Sequence, residues 1–235
     1  MSLPVYRWSA SSCEVVFSTR QGGVSEGPFE SLNLGRRTGD DVTRVDENRR
    51  RLCAVIGADE ERLTIGFQTH STVVHRAEAG SRGVPGDGLW TDEPDLPLLA
   101  IGSDCVLIAL ARKNGGSPAL AVIHAGWRGL ADGIVEATAQ PLGTRLTAIV
   151  GPAIGPCCYE VGEDVASRFR AKYGRKIVSN GKLDLWTAAE QAARAAGATD
   201  VERLDLCTRC RSDRFFSERR TGRPRGTQGV LGLLR

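Results

Sequence analysis

Three histidines and seven cysteines are the residues of this 235-residue chain best suited to hold a metal ion or to attack an electrophile. His70 stands before Ser71 and His124 before Ala125-Gly126, and each ends or follows an apolar run, where a sheet delivers side chains to a cleft. Cys105 follows Ser103-Asp104 at the start of another apolar run, so a thiolate can be presented beside the two imidazoles. Imidazole and thiolate are donors that zinc and copper accept, and three protein ligands with one open position is the catalytic arrangement of zinc. The intervals between these residues match no short metal-binding pattern, so a Cys-His nucleophile pair is equally allowed. Gly126 to Gly129 makes a glycine-flanked loop that opens a helix, whose free N–H groups favour an anion such as phosphate.

Other chemistry-bearing residues weigh less. Cys207 and Cys210 form Cys-x-x-Cys, but no second half-site follows them, which argues against a structural zinc there. Cys157-Cys158 after Pro156 has a superficial likeness to the deaminase zinc signature, whose His-x-Glu element is absent. His75 is expected on the outer part of a strand, away from the metal. Asp87 and Asp92 flank Gly88 and Trp90 in a loop placed to cover a pocket, though turn formation alone explains them.

The elements that must position these groups follow from periodicity. Val15 to Phe17 reads as a strand, broken by Gly22-Gly23 in a loop suited to lie near a ligand. Asp40 and Asp41 offer N-caps for a helix carrying Val42, Val45, Leu52, Val55 and Ile56 and ending at Gly57. Leu63 to Phe67, Thr72 to His75, Leu98 to Gly102, Cys105 to Ala111 and Ala119 to Ile123 are strand-like runs bounded by Gly, Pro and Asp. Beyond them come a helix over Leu130 to Leu142, a strand at Leu146 to Val150, and helices over Val161 to Tyr173 and Leu185 to Ala196. Late strands are expected at Val201 to Leu206, Phe215 to Ser217 and Val230 to Leu234. Strands both consecutive and alternating with helices predict an α/β fold of mixed α+β character with mixed, layered sheets.

The length, with 41% hydrophobic and 25% charged residues, suits one α/β domain over residues 1–235. A net charge of +3 without a basic stripe gives no nucleic-acid footprint. All but four of the 31 basic residues are Arg, the cation suited to bidentate contact with phosphate or carboxylate. No positively charged start leads into an apolar run, and the longest apolar stretch, Leu96 to Ala111, is interrupted by Ser103 and Asp104. Neither export nor membrane insertion is expected. Seven cysteines, an odd number, read as thiols of a reducing compartment, which places the protein in the cytoplasm. Its oligomeric state has no signature in the sequence.

Seven ordered strings resemble the laccase-domain (YfiH-type) family, once described as polyphenol oxidases, from about Val16 to the C-terminus. They are Phe17 to Ser25, Gln68-Thr69-His70-Ser71, Gly86-Asp87-Gly88, Ser103-Asp104-Cys105, His124 to Gly129, Gly151 to Gly155 and Phe215-Phe216-Ser217. The resemblance implies a layered α-β-β-α fold and a zinc or copper site at His70, Cys105 and His124. It further implies phosphorolysis of purine nucleosides and methylthioadenosine, with adenosine deaminase activity. The expected partners are a nucleoside and phosphate. Deamination suits a metal held by two imidazoles and a thiolate, which lowers the pKa of water enough for attack on the purine C6. Phosphorolysis needs an oriented phosphate, for which charge and loop placement nominate Arg20, Arg128 and the amides from Gly126 to Gly129.

Two departures bear on substrate preference. The strand after the Asp-Cys pair lacks the usual proline in Val106-Leu107-Ile108, and Leu231-Gly232-Leu233-Leu234 replaces an aromatic ending. One alternative activity is a hydrolase in which Cys105 attacks and His124 is the base, editing a peptidoglycan precursor amide. A copper phenol oxidase is the other, but its several copper centres need more imidazoles than three histidines supply.

Overall fold

Most of the apolar runs become strands of two sheets, and several end where Gly or a charged residue interrupts the ladder, as at Gly126 after β9 and Gly151 after β10. The protein is represented by a computed structural model that describes residues 3–113 and 116–235. Its strands in chain order are β1 (Val5–Ala10), β2 (Cys13–Ser18), β3 (Thr64–Phe67), β4 (Val74–Arg76), β5 (Arg82–Pro85), β6 (Gly88–Thr91) and β7 (Leu98–Gly102). Then follow β8 (Val106–Arg112), β9 (Leu120–Ala125), β10 (Leu146–Val150), β11 (Val178–Ser179), β12 (Lys182–Leu183), β13 (Ala198–Arg203) and β14 (Gln228–Leu234). The helices are α1 (Val42–Val55), α2 (Trp127–Asp132), α3 (Ile134–Ala139), α4 (Glu163–Tyr173), α5 (Leu185–Ala195) and α6 (Glu218–Thr221).

One six-stranded sheet has the order β1-β2-β14-β7-β3-β5 and the other β13-β10-β8-β9-β6-β4, with β11 and β12 forming a separate hairpin. Both sheets mix parallel and antiparallel pairs: β3 runs parallel to β7 and β5, while β8 runs antiparallel to β9 and β10. The two-residue period of a strand sorts the side chains into layers. On β8, Leu107, Ala109 and Ala111 face the core between the sheets, with Val15, Phe17, Val122 and Val230. Val106, Ile108 and Leu110 face the opposite way, onto Ile134, Val135, Ala189 and Ala192 of α3 and α5. On β2 the alternation gives Val16 to a third core, where Leu52 and Cys53 of α1 meet Leu99 and Leu231. The stack is therefore helix, sheet, sheet, helix, as the resemblance implied.

Caps explain where the helices start. Asp41 accepts a hydrogen bond from the Thr43 N–H at 2.8 Å, and Asp184 accepts one from the Thr187 N–H at 3.0 Å. Three expectations change. The helix predicted over Leu130 to Leu142 begins earlier, at Trp127, and is split into α2 and α3 by Gly133, whose φ of 99° no helix interior accepts. Phe215 to Ser217 is not a strand: the Phe216 N–H donates at 2.9 Å to the Gln228 side-chain carbonyl, so an amide stands in for a ladder partner. Gly88 to Trp90 belongs to β6, paired with β9 and β4, and not to a covering loop. Among the described residues no helix is long and apolar enough to cross a membrane.

Candidate metal centre and its cleft

Cys105 sits where the chain crosses between sheets, in the short Ser103-Asp104-Cys105 link from β7 to β8. His124 lies near the end of β9, opposite Leu107 of β8 in the ladder. His70 comes from the other sheet, in the turn after β3. The Gln68 side chain extends that strand by accepting from the Ile101 N–H at 2.8 Å and donating back to the Ile101 carbonyl. Two sheets thus deliver three donors to one place: the donor atoms of His70, Cys105 and His124 all lie within 4.8 Å of one another. The Cys105 Sγ is 3.7 Å from the His70 Nε2, and the two imidazoles meet edge to face with centroids 4.9 Å apart.

Asp87, a turn former by its sequence neighbours, assembles this trio. Its carboxylate is buried and accepts from the backbone N–H groups of Thr69 (3.1 Å), His70 (3.0 Å) and Ser71 (2.8 Å), and from the Ser71 hydroxyl at 2.8 Å. It also accepts from the His124 Nδ1 at 2.8 Å. A carboxylate can only accept, so Nδ1 carries a proton and Nε2 is the nitrogen turned toward the other donors. The same bonds hold His70 in a left-handed backbone, φ 62°, which a residue with a Cβ adopts at a cost of about 1–3 kcal/mol. The available signal was the Gly86-Asp87-Gly88 string. A Cβ at Gly88 would meet the Thr138 Oγ1 at 2.5 Å and one at Gly86 would meet the His75 ring at 2.8 Å, so the glycines let Asp87 come in close.

The charges reinforce one another. Burial pushes the Asp87 carboxyl up, but the His124 and Ser71 hydrogen bonds outweigh it and hold the group well below the usual carboxylate range. Burial likewise raises the Cys105 thiol, and the neighbouring His124 and His70 overcome it and bring the thiol down. For His124, burial lowers the pKa while Cys105 and Asp87 raise it further, leaving it above the ordinary imidazole value. This is the charge pattern of a thiolate beside an imidazolium that a carboxylate orients, and a bound cation would take the place of the Nε2 proton. Two imidazoles and a thiolate converging on one point, with a fourth side open to the cleft, suit a single zinc or copper ion.

The three residues line a cleft of about 920 Å³, roomy enough for a nucleoside and phosphate together. Phe67, Trp127 and Tyr159 give it aromatic walls, and Arg36, Arg37, Arg219, Arg223 and Arg225 give it positive charge. Arg37 lies over the Phe67 ring at 3.8 Å and Arg219 over Tyr159 at 4.9 Å. Arg49 also reaches the lining, but its guanidinium donates twice to the Leu34 carbonyl and is structural.

Of the residues nominated for phosphate, Gly126 adjoins the trio: a Cβ there would lie 2.3 Å from the His70 ring. Arg20 and Arg128 lie elsewhere than the cleft lining. Arg20 donates to the backbone carbonyls of Glu30 and Ser212 and stacks on Phe216 at 4.7 Å, while Arg128 stacks on Trp127 at 4.3 Å. Charge and loop placement could not separate cations that brace the fold from those that face the cleft. His75 takes no part in the cluster, since its Nε2 lies 2.8 Å from the Pro85 carbonyl.

Residues 14–234 match the family described as multi-copper polyphenol oxidoreductase laccase. The chain is 37% identical to the purine nucleoside phosphorylase YlmD of Geobacillus stearothermophilus, with 91% of this chain and 86% of the relative aligned. It is 38% identical to a purine nucleoside phosphorylase of Deinococcus radiodurans, covering 99% and 94% of the two chains. Among solved structures, the crystal structure of the Bacillus licheniformis protein YfiH superposes with a TM-score of 0.88 at 30% identity, covering 95% of this chain and 93% of that one. The Geobacillus stearothermophilus YlmD structure superposes with a TM-score of 0.87 at 32% identity, covering 96% and 93%.

Proposed function

Because this chain belongs to the multi-copper polyphenol oxidoreductase laccase family and its near relatives bear the name purine nucleoside phosphorylase, we propose that it is a metal-dependent enzyme that cleaves purine nucleosides with phosphate. The observation that carries the reading is the convergence of His70, Cys105 and His124 in an arginine-lined cleft. Adenosine, inosine, guanosine and methylthioadenosine are the assigned substrates, with deamination of adenosine in the same cleft. Residues 1–235 act as one catalytic domain in the cytoplasm.

The chain's own groups divide the task by chemistry. Phe67, Trp127 and Tyr159 offer faces to a purine ring, and Arg219, Arg223 and Arg225 offer charge to a phosphate. The Arg225 side chain is mostly buried and pairs with the Glu218 carboxylate at 2.6 Å, while its enclosed Nε has no hydrogen-bond partner, so a phosphate reaching it would replace that carboxylate as its anion. In phosphorolysis a phosphate oxygen bonds to the ribose C1′ while the bond to the purine nitrogen breaks and its electrons leave with the base. Orienting the phosphate is therefore the protein's main contribution. His70, Cys105 and His124 would hold zinc, copper being compatible with the same donors, and the ion would supply Lewis acidity for deamination. Asp87 keeps His124 in the tautomer that such binding needs.

Incubating the protein with adenosine and phosphate, and separating adenine, hypoxanthine and ribose 1-phosphate, tests the reading. Conversion that depends on phosphate is the expected result, and no conversion at large enzyme excess removes it.

A second reading has one observation in its favour. Cys105, His124 and Asp87 stand in the order of nucleophile, base and orienting carboxylate, with the thiol pKa lowered. A thiol hydrolase acting on a peptidoglycan precursor amide would be alkylated at Cys105 by iodoacetamide without prior chelation. Stoichiometric zinc, with Cys105 protected until it is stripped, decides against that reading.

A further inference from the structure

The second half-site that Cys207-x-x-Cys210 lacks downstream lies upstream. Cys157 and Cys158, in the turn between β10 and α4, meet Cys207 and Cys210, in the turn after β13, and the four sulfurs lie within 4.8 Å of one another. Cys210 is 3.6 Å from the Cys157 sulfur and 3.4 Å from that of Cys158, and no pair is joined. A tetrahedral ion with bonds of about 2.3 Å places its sulfurs about 3.8 Å apart. Four sulfurs around one point fit that geometry, whereas a disulfide would use only two. We propose that Cys157, Cys158, Cys207 and Cys210 form a structural four-thiolate zinc site, separate from the cleft.

The surroundings are built for it. The Gly155 N–H donates to the Cys207 sulfur at 3.3 Å, the kind of outer bond that steadies a thiolate ligand. Ala153 and Cys207 form a parallel bridge, and the Thr208 N–H donates to the Ala153 carbonyl at 3.0 Å, so the two turns are already laid side by side. Binding releases one proton per thiol and leaves two net negative charges on the site. Lys182, whose ammonium donates to the Cys157 carbonyl at 3.0 Å, and Arg220, whose guanidinium donates to the Thr208 and Arg209 carbonyls, stand close to offset them. Cys157 and Cys210 are exposed, which gives the ion a path in.

The site braces one wall of the cleft. Tyr159, next to Cys158, lines the cleft and carries Arg219 on its ring. Thr208, next to Cys207, donates through its hydroxyl to the Asp104 carboxylate at 2.6 Å, one residue from Cys105.

The test is zinc content per chain in full-length protein purified with reductant: wild type, Cys105→Ser, and Cys207→Ser with Cys210→Ser in both backgrounds. The expected values are two, one, one and none. Cobalt loaded into Cys105→Ser should give the sulfur-to-metal absorption of a tetrahedral thiolate site, lost in the combined variant. If the paired serines prevent folding, Cys157→Ser, altered at an exposed position, should weaken zinc in a chelator competition by more than the ~10–100-fold of a lost outer partner. The proposal is overturned if the paired serines leave zinc content unchanged, or if mass spectrometry of the reduced preparation finds a disulfide among the four cysteines. A cleft that binds no zinc would lower the wild-type value to one without changing what the paired serines remove, so the two site assignments fail separately.

Discussion

The His70–Cys105–His124 cluster and the Cys157–Cys158–Cys207–Cys210 cluster differ in what encloses them. The first has three donors, a buried carboxylate orienting them, and an open side on a large cleft. The second has four donors of one kind, supplied by two facing turns. Three ligands leave an ion reactive and four leave it inert, so donor number alone separates a site that works on a substrate from one that holds loops together. Their origins differ as well: the first needs both sheets to be docked, while the second needs only the two turns beside β10 and β13.

The contrast can be broken most directly by removing one sulfur from each side. Cys105→Ala should abolish turnover, a loss on the order of 10³-fold or more, with little change in melting temperature. Cys207→Ser with Cys210→Ser should lower the melting temperature by about 5–10 °C while turnover stays within a few-fold. Calorimetry and nucleoside assays on both variants give the answer, and equal loss of activity in the two would erase the distinction.

Asp87→Asn sharpens it next. The amide keeps the shape but cannot accept every bond now made, so zinc in the cleft should weaken by about 10–100-fold. Stability should fall by about 2–4 kcal/mol in denaturant titration as buried donors lose a partner. The four-cysteine site should keep its zinc.

Gly126→Ala is the smallest change. Its new methyl would press on the His70 ring, so chelator competition should show weakening of about tenfold in the cleft, with stability within about 1 kcal/mol of wild type.

The parts of this structure legible in the sequence were those written in local periodicity. The α1 helix with its Asp41 cap and the strands β7 and β10 follow from side-chain spacing. The three residues of the cleft cluster were nominated by type and by the resemblance, because their intervals carry no local rule. What stayed hidden depends on distant partners. Asp87 reads as a turn residue, since nothing nearby in the chain reveals six hydrogen bonds converging on its carboxylate. The Phe215 to Ser217 aromatics suggested a strand, but their backbone is satisfied by the Gln228 side chain. Cys157-Cys158 and Cys207-x-x-Cys210 stand about fifty residues apart, and only the pairing of β10 with β13 brings them together.

The position of β14 has a consequence for folding. It lies in the middle of its sheet, between β2 and β7. Until residues 228–234 pair, that layer is two separate parts, β1-β2 and β7-β3-β5. The turn bearing His70 does not wait for it, being tied to β7 through Gln68 and Ile101. What β14 completes is the face that receives α1, where Leu231 and Leu233 join Val16 and Leu99. Closing that face depends on partners far apart in the chain, which makes it a slow step.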